Sequence, residues 1–283
     1  MKITFLGTGT SQGVPVIACH CAICKSPNPK DKRLRTSILI QTDKTTIAID
    51  SGPDFRQQML RSQVEKLDAI IYTHGHKDHV AGLDDVRAYN HLQNNAMNIY
   101  ADLQTQNNIK KEFSYIFENQ HYPGVPKVNI HTIKPNMKFQ INEIEFETID
   151  VLHYKLPVLG FRFNDFTYIT DANYISEKEL QKISHSKYLV LNALRHEPHI
   201  SHFSLSEAIE IANKVQAKQT YFTHISHQLG LHDEVEKKFT EKYEISLRFT
   251  FIRDLIILYL HNISILWQAK TNLLLISLLH TIR

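Results

Sequence analysis

Apolar residues recur along this chain in two patterns, one typical of β-strands and one typical of helices. Short runs that are continuous or that alternate with polar residues predict buried or half-buried strands. Such strands are predicted at residues 1–6, 36–42, 45–50, 67–72, 143–152, 166–170, 219–223, 245–251 and 255–260. Apolar residues at helical spacing predict helices at residues 54–64, 84–93, 103–117 and 205–215. Their interleaving is typical of a mixed α/β protein.

Short polar motifs mark turns and helix starts within this pattern. The dipeptide Asp43-Lys44 separates two of the strand-like runs and predicts a hairpin. Ser176 is followed three residues later by Glu179, and Ser204 by Glu207, which is the capping-box pattern. The helix predicted at 205–215 has one apolar face, so we expect it to pack against a core rather than to form a cofactor site.

Residues of the types that commonly bind metals follow the strand predicted at 67–72. The heptad 73–79 reads Thr-His-Gly-His-Lys-Asp-His and supplies His74, His76, Asp78 and His79. Side chains leave a strand end with a period near two, so His74 and His76 can point the same way. Imidazole and carboxylate are ligands that borderline divalent metals accept. A solvated, histidine-rich loop is the alternative interpretation, but the order His-x-His-x-Asp-His is specific.

This heptad resembles the metal-binding signature of the metallo-β-lactamase-fold hydrolases. The resemblance implies three further ligands at strand ends, and the chain offers His153, Asp171 and His224 directly after strand-like runs. It implies two divalent ions, Mn or Zn, one held by His74, His76 and His153 and the other by Asp78, His79 and His224, with Asp171 bridging them. It also implies a four-layer αββα sandwich, here expected over residues 1–260.

The three cysteines of the chain, Cys19, Cys21 and Cys24, lie within six residues of one another. Thiolates bind zinc tightly, and three of them leave one place open in a tetrahedral site. The alternative is a set of free thiols, which would be prone to oxidation. A Cys-x-Cys-x-x-Cys loop after the first strand resembles the PhnP-type cyclic phosphodiesterases. In that subgroup a histidine three residues after the last catalytic ligand completes a structural zinc site, and His227 fits.

The resemblance implies a metal-dependent phosphoric diester hydrolase that cleaves a small cyclic phosphodiester by attack of a metal-bridging hydroxide. His202, just before a predicted capped helix, matches a histidine that phosphodiesterases of this fold place beside the phosphate. We expect it to protonate the leaving alkoxide, with Asp78 and Asp171 as the catalytic carboxylates. His196 and His199 are weaker candidates for the same role.

The net charge and the set of ligand residues help to choose among possible functions. A net charge of +3 on 283 residues gives no strong footprint for nucleic acid, so we expect no long nucleic-acid partner. A transfer-RNA 3′-processing ribonuclease would share the metals but would need a long basic arm, and the chain has no such charge run. A non-catalytic, zinc-stabilised binding protein of the same fold is the other alternative. It is disfavoured because all seven ligand positions of the metal pair are filled.

The two ends of the chain bear on its surroundings. Residues 1–7 resemble a first strand rather than a signal peptide, which predicts a cytoplasmic protein. Residues 261–283 are rich in Leu and Ile but are interrupted by polar residues, so we expect no membrane span. This atypical extension could be a buried helix, a contact in a homodimer or a non-native end. We expect it to be irrelevant to catalysis.

Overall fold

The computed structural model describes residues 1–118, 124–243, 249–251 and 253–260. The strands in these ranges are β1 (Lys2–Gly7), β2 (Ser37–Gln41), β3 (Thr46–Ile49), β4 (Ala69–Ile71), β5 (Met97–Ala101), β6 (Val128–Thr132), β7 (Lys138–Ile141), β8 (Ile144–His153), β9 (Leu156–Phe163), β10 (Phe166–Tyr168), β11 (Tyr174–Ile175), β12 (Tyr188–Asn192), β13 (Gln219–Thr223), β14 (Phe249–Phe251) and β15 (Ile257–Tyr259). The helices are α1 (Ala22–Lys25), α2 (Phe55–Arg61), α3 (Lys77–Val80), α4 (Arg87–Gln93), α5 (Leu103–Glu112), α6 (Ser114–Phe117), α7 (Glu177–Ile183), α8 (Leu205–Val215) and α9 (His232–Tyr243).

The strands form two sheets. The first has the order β15-β1-β2-β3-β4-β5-β6, and the second has the order β11-β8-β9-β10-β12-β13-β14, with β7 paired to β8. The predicted hairpin is confirmed, since β2 and β3 pair antiparallel. Strands β3, β4 and β5 are parallel neighbours, and so are β10, β12 and β13. The carboxyl ends of parallel neighbours meet at one edge, which brings the loops after them together.

Three groups of buried apolar side chains fill the spaces between the layers of the protein. The central group lies between the two sheets and joins residues such as Phe5 and Ile38 to Phe146 and Phe161. A second group lies between the first sheet and α2, α4 and α5. A third lies between the second sheet and α7 and α8. The four-layer αββα sandwich expected from the sequence is confirmed.

The element boundaries agree with the sequence at most strands and differ at two helices. The strand predicted at 219–223 is β13, and the strand predicted at 143–152 is β8, shifted by one residue. The single helix predicted over 103–117 is wrong. The chain leaves the helical conformation at Phe113 (φ −114°, ψ 44°), which separates α5 from α6. Phe113 is 7% exposed and packs into the outer core of the first sheet, so burial of this ring outweighs helix continuity. Before α4, residues Leu83–Val86 form a 3-10 turn.

The C-terminal predictions are only partly within the described residues. Strands β14 and β15 fall inside the two runs predicted there, and β15 pairs with β1. Residues 261–283 lie outside the described residues. Among the residues that the structure describes, no helix is both long enough and apolar enough to cross a membrane.

The two predicted capping boxes behave differently. At α8 both halves form, because the Ser204 hydroxyl faces the backbone N–H of Glu207 and the Glu207 carboxylate accepts from the backbone N–H of Ser204. At α7 the Ser176 side chain caps the helix, but the Glu179 carboxylate accepts from the backbone N–H of Asp150 and from Lys182 instead. Glu179 therefore ties α7 to β8, a contact that local sequence does not reveal.

We expect Ser204→Ala to lower the free energy of unfolding by about 1 kcal/mol, because it removes the acceptor at the N-terminus of α8. Chemical denaturation followed by circular dichroism measures the change. Asn213→Ala is the matched control, since Asn213 is exposed on the same helix and its substitution should change stability by less than about 0.5 kcal/mol. Equal effects of the two substitutions would contradict the assigned cap.

Candidate metal centre

Four strand ends carry the predicted ligands to one edge of the sandwich. The heptad follows β4 of the first sheet, with Asp78 and His79 in the short helix α3. His153 is the last residue of β8, while Asp171 and His224 come soon after β10 and β13 of the second sheet. The site therefore exists only because the ends of both sheets meet.

The backbone bends sharply where these loops begin. Asp171 and His224 both have φ 56°, and Asp50, directly after β3, has φ 66°. This left-handed conformation is uncommon for residues other than glycine, although Asp and His adopt it more readily than most. Strained conformations of this kind cluster at functional sites, where the surrounding structure holds them.

Asp171 lies at the centre of the group. Its Oδ1 atom is 3.0 Å from His224 Nδ1 and 3.4 Å from His79 Nε2, and its Oδ2 atom is 3.8 Å from His74 Nε2. Donor atoms of Asp171 also lie within 4.8 Å of those of Asp78 and His224, and of those of His153 and His202. The carboxylate of Asp171 thus lies close to candidate ligand atoms that come from both sheets.

The distribution of the other ligands differs in part from the expected one. Asp78, Asp171 and His224 converge, as the predicted second metal requires. His74 converges with His79 and Asp171, although the sequence assigns His74 and His79 to different metals. His76 is exposed and is absent from the converging groups among the described residues. Its ring centroid is nevertheless 4.6 Å from that of His74 and 5.2 Å from that of His153.

Several buried ring nitrogens face this centre without a hydrogen-bond partner. They are His74 Nε2, His79 Nε2, His202 Nδ1 and both ring nitrogens of His224. Buried polar atoms are nearly always paired, so unpaired ones need an explanation. Carboxylate oxygens lie near several of them, and imidazole with carboxylate is a donor set for Zn or Mn. The residues therefore fit a metal centre.

Outer hydrogen bonds turn the imidazoles towards this centre. His79 Nδ1 lies 2.7 Å from Asp50 Oδ2, and His153 Nδ1 lies 2.7 Å from the backbone oxygen of Ser201. His74 Nδ1 lies 3.0 Å from the hydroxyl of Thr73, which itself donates to Asp50. These acceptors hold the proton on Nδ1 and leave Nε2 free to bind a metal.

Asp50 is the residue that the sequence analysis missed. It is fully buried and accepts from the backbone N–H and the hydroxyl of Thr73 as well as from His79. The missed signal is a carboxylate directly after a strand. It becomes informative once β3 is known to run parallel to β4, because Asp50 then lies beside the start of the heptad.

Burial and charge set opposite protonation preferences within the site. Burial, with the neighbouring His79, holds the pKa of His74 well below its ordinary value. Burial also disfavours charge on His79, but Asp171, Asp78 and Asp50 outweigh it and raise the pKa of His79 well above its ordinary value. Burial likewise acts to raise the pKa of Asp171, but His224 and His79 outweigh it and lower that pKa. The buried carboxylates thus require positive charge nearby.

His202 stands between two of the predicted ligands. Its ring centroid is 4.5 Å from that of His153 and 4.6 Å from that of His224. Burial, reinforced by His224, lowers the pKa of His202 to about 2, so the imidazole is neutral near pH 7. Of the rival candidates, His199 has its ring 5.2 Å from that of His202, whereas His196 is exposed.

The three cysteines converge on His227, as the sequence predicts. His227 Nδ1 is 3.4 Å from the sulfurs of Cys19 and Cys21 and 3.5 Å from that of Cys24. Ordinary Zn–S and Zn–N bond lengths in a tetrahedral site require N···S separations of about 3.5 Å. The donor set fits a closed zinc site. His227 is three residues from His224, so such a site would tie the cysteine loop to the strand end that carries this ligand.

Comparisons with known families and structures support the same fold. Residues 45–225 match the family described as beta-lactamase superfamily domain. The chain is similar to a crystal structure described as a new diphosphatase from the PhnP family, with a TM-score of 0.83 and 37% identity over 92% of this chain and 98% of that one. Zn²⁺-bound PqqB from Methylobacterium extorquens has a TM-score of 0.72 but only 18% identity, which supports the fold alone.

Curated relatives are longer than this chain. An octanoyltransferase of Porphyromonas gingivalis is 37% identical over 236 residues, which is 83% of this chain but 48% of that protein. A ribonuclease Z of Nostoc is 29% identical over 166 residues, or 57% of this chain and 46% of that protein. The chain therefore spans about half the length of the curated relatives it matches.

We expect Asp50→Asn to lower the free energy of unfolding by about 1–3 kcal/mol, because in either amide orientation a buried N–H, that of His79 Nδ1 or that of the Thr73 backbone, would face an amide nitrogen instead of an acceptor. It should also weaken metal binding by about tenfold or more, since it releases an orienting contact. Thermal denaturation and metal titration measure the two effects. Asp43→Asn, at the exposed turn between β2 and β3, is the control. Identical behaviour of the two variants would refute the role of Asp50.

Proposed function

The chain belongs to the beta-lactamase superfamily and, within it, to the PhnP family, and we propose that it is a metal-dependent phosphodiesterase acting on a small cyclic phosphodiester. The observation that carries the proposal is the convergence of imidazoles from both sheets on the buried carboxylate of Asp171. Such a donor set suits a pair of cations, and phosphodiester hydrolysis depends chiefly on positioning and electrostatic stabilisation.

The ligand assignment that we propose keeps Asp171 between two divalent ions, Mn or Zn. The first would be held by His74, His76 and His153, and the second by Asp78, His79 and His224. When bound, the ions would lower the pKa of coordinated water towards neutrality and offset the charge that develops on the phosphoryl group. His76 would have to bring a ring nitrogen closer to those of His74 and His153, and its ring already lies beside theirs, with centroid distances of 4.6 Å and 5.2 Å.

His202 would manage the proton of the leaving group. It is neutral in the free protein, with Nδ1 buried and unpartnered. The negative charge of a bound phosphodiester would favour the protonated form, since an opposite charge nearby raises the pKa of an imidazole. The protonated ring could then transfer its proton to the alkoxide oxygen as the phosphorus–oxygen bond breaks.

The cysteine loop would hold a third, structural ion. We propose zinc bound by Cys19, Cys21, Cys24 and His227, on the strength of the N···S distances of 3.4–3.5 Å. Its role would be mechanical. The ion would fix the loop after β1 to the chain segment that follows His224, and so hold one wall of the catalytic site.

Two relatives suggest other activities at the same centre. The PhnP-family structure is described as a diphosphatase, so cleavage of a diphosphate linkage is a second candidate that the 37% identity favours. Ribonuclease Z matches a shorter part of the chain, and the weak net charge of +3 disfavours a long RNA substrate. Either activity would take place at the same candidate metal centre of this chain, so assays with different substrates have to separate the alternatives.

The decisive assay offers Mn-loaded or Zn-loaded protein a panel of cyclic phosphodiesters, linear phosphodiesters, diphosphates and precursor transfer RNA. We expect hydrolysis of a cyclic phosphodiester, measured as release of the phosphomonoester. His202→Ala should keep the metal pair but slow turnover by about 10²–10⁴-fold, because it removes the proton donor. Asp171→Ala should lose both the metal pair and turnover.

His196→Ala is the matched control for His202→Ala, because His196 is a histidine of the same loop that is exposed. It should keep most of the activity. Preferential cleavage of diphosphates or of precursor transfer RNA would replace the proposed substrate by one of the alternatives. Intact metal binding without turnover of any substrate would favour the non-catalytic binding protein.

Elemental analysis tests the structural ion. We expect three metals per wild-type chain and two in His227→Ala, together with a lower unfolding temperature, because zinc binding contributes to folding free energy. His20→Ala is the control, since His20 is exposed between the cysteines and lies outside the converging donor group. An unchanged zinc content in His227→Ala would exclude this site.

A further inference from the structure

Helices α2 and α4 leave an apolar groove between them on the outer side of the first sheet. Its volume is about 640 Å³, and buried side chains of the outer core line it, namely Phe55, Met59 and Tyr89. Leu60 of α2 and Leu92 of α4 line the same groove but are 61% and 70% exposed. Apolar surface that is gathered in one cavity and left open in the described part of the chain indicates a binding surface.

Strand β15 brings the rest of the chain to the same side of this sheet. Arg61, the last residue of α2, lies 3.3 Å from Asp254, which comes shortly before β15. The even-numbered residues of 256–260 pack on the central core. Since side chains alternate along a strand, Ile257 and Tyr259 face the outer side, where α2 and α4 lie, and they are 42% and 59% exposed.

The chain that follows β15 is long enough to reach the groove. Helix α4 lies in the connection from β4 to β5, and β5 is five strand spacings from β15, or about 24 Å. The twelve residues 261–272 can span at most about 40 Å. Residues 273–283, here called the C-terminal segment, are therefore within reach of the groove.

The C-terminal segment has a sequence pattern that suits such a groove. Its apolar residues include four at the spacing i, i+3, i+4 and i+7, which are Leu275, Leu278, Leu279 and Ile282. This spacing predicts one apolar face of a helix. Amphipathic helices that bind in apolar grooves use anchor residues at the same spacing.

The charges of the two surfaces are complementary. The groove is lined by two carboxylates, Glu65 and Asp85, and by one guanidinium, that of Arg56. Residues 261–283 contain Lys270 and Arg283 but neither Asp nor Glu. Complementary charge favours one partner over others for the same apolar surface. Reach, spacing and charge thus point to one occupant.

We propose that the C-terminal segment docks as a helix in the groove between α2 and α4, with its apolar face against Leu60 and Leu92. The segment would then be a further element of the outer layer on the first sheet. The groove lies on a face of the sheet, whereas the metal centre lies at an edge. Docking would therefore stabilise this layer and would take no part in the chemical step.

Hydrogen–deuterium exchange of the full chain, followed by mass spectrometry of its peptides, tests the docking. A helix of about eleven residues is unstable by itself in water, so its amides are protected only if the segment docks. Leu60→Glu would place a carboxylate against the apolar face and should speed exchange of the segment by about tenfold or more. Gln57→Glu is the matched control and should leave this exchange unchanged, since Gln57 is exposed on the same helix outside the groove.

A reciprocal pair of variants tests the other surface. Leu278→Glu, on the apolar face, should speed exchange of the segment as Leu60→Glu does. Ser277→Glu should not, because residue 277 falls on the opposite side of the predicted helix. Unchanged exchange of β4 and β5 in all four variants would show that the fold persists.

Rapid exchange of the segment in the wild type, or protection that survives Leu60→Glu, would overturn the inference. Protection that is present only in a dimer, as measured by light scattering, would also overturn it, because a second copy would then supply the segment. An apolar small molecule retained in native mass spectrometry and lost in Leu60→Glu would replace the segment as the occupant of the groove.

Discussion

A buried carboxylate, Asp171, must be compensated from several directions at once, and this requirement governs the architecture around it. Asp171 is 2% exposed, and an isolated charge in such a position is strongly unfavourable. Imidazoles from the residue after β13, from the end of β8 and from the heptad after β4 lie around it, so both sheets contribute to its environment. The two sheets therefore have to meet with their strand ends aligned, and the central apolar core between them maintains that alignment.

Hydrogen bonds to the predicted ligand side chains impose the next constraint. Asp50 joins Thr73 and His79 into a single buried network, so the end of β3 positions side chains that belong to the loop after β4. On the other side, the backbone oxygen of Ser201 fixes His153 and the Asn173 side chain fixes Ile200. These contacts replace flexible loop ends by a rigid frame, which is the condition for precise placement of cations and substrate.

The residues with left-handed backbone conformation at the strand ends show where backbone strain accompanies the placement of a side chain in the candidate site. Asp50, Asp171 and His224 adopt a conformation that favours glycine, and each side chain contributes to the buried network of the candidate metal centre. Local preference and site geometry conflict at these positions, and such conflicts are expected at functional sites.

Sequence alone predicted the identity and order of the candidate ligands, because that prediction depends on short motifs: the heptad, the cysteine loop and the lone residues after strand-like runs. It also determined most strand positions and the cap at Ser204, which depend on local periodicity and on neighbours three residues away. Sequence alone did not determine the break at Phe113, the hydrogen bonds of Asp50 or the exposure of His76. It also did not determine the hydrogen bonds of Asn173 to Tyr154 and Ile200. Each of these depends on contacts between segments distant in sequence, which strand pairing within the sheets and packing of helices and loops onto them bring together.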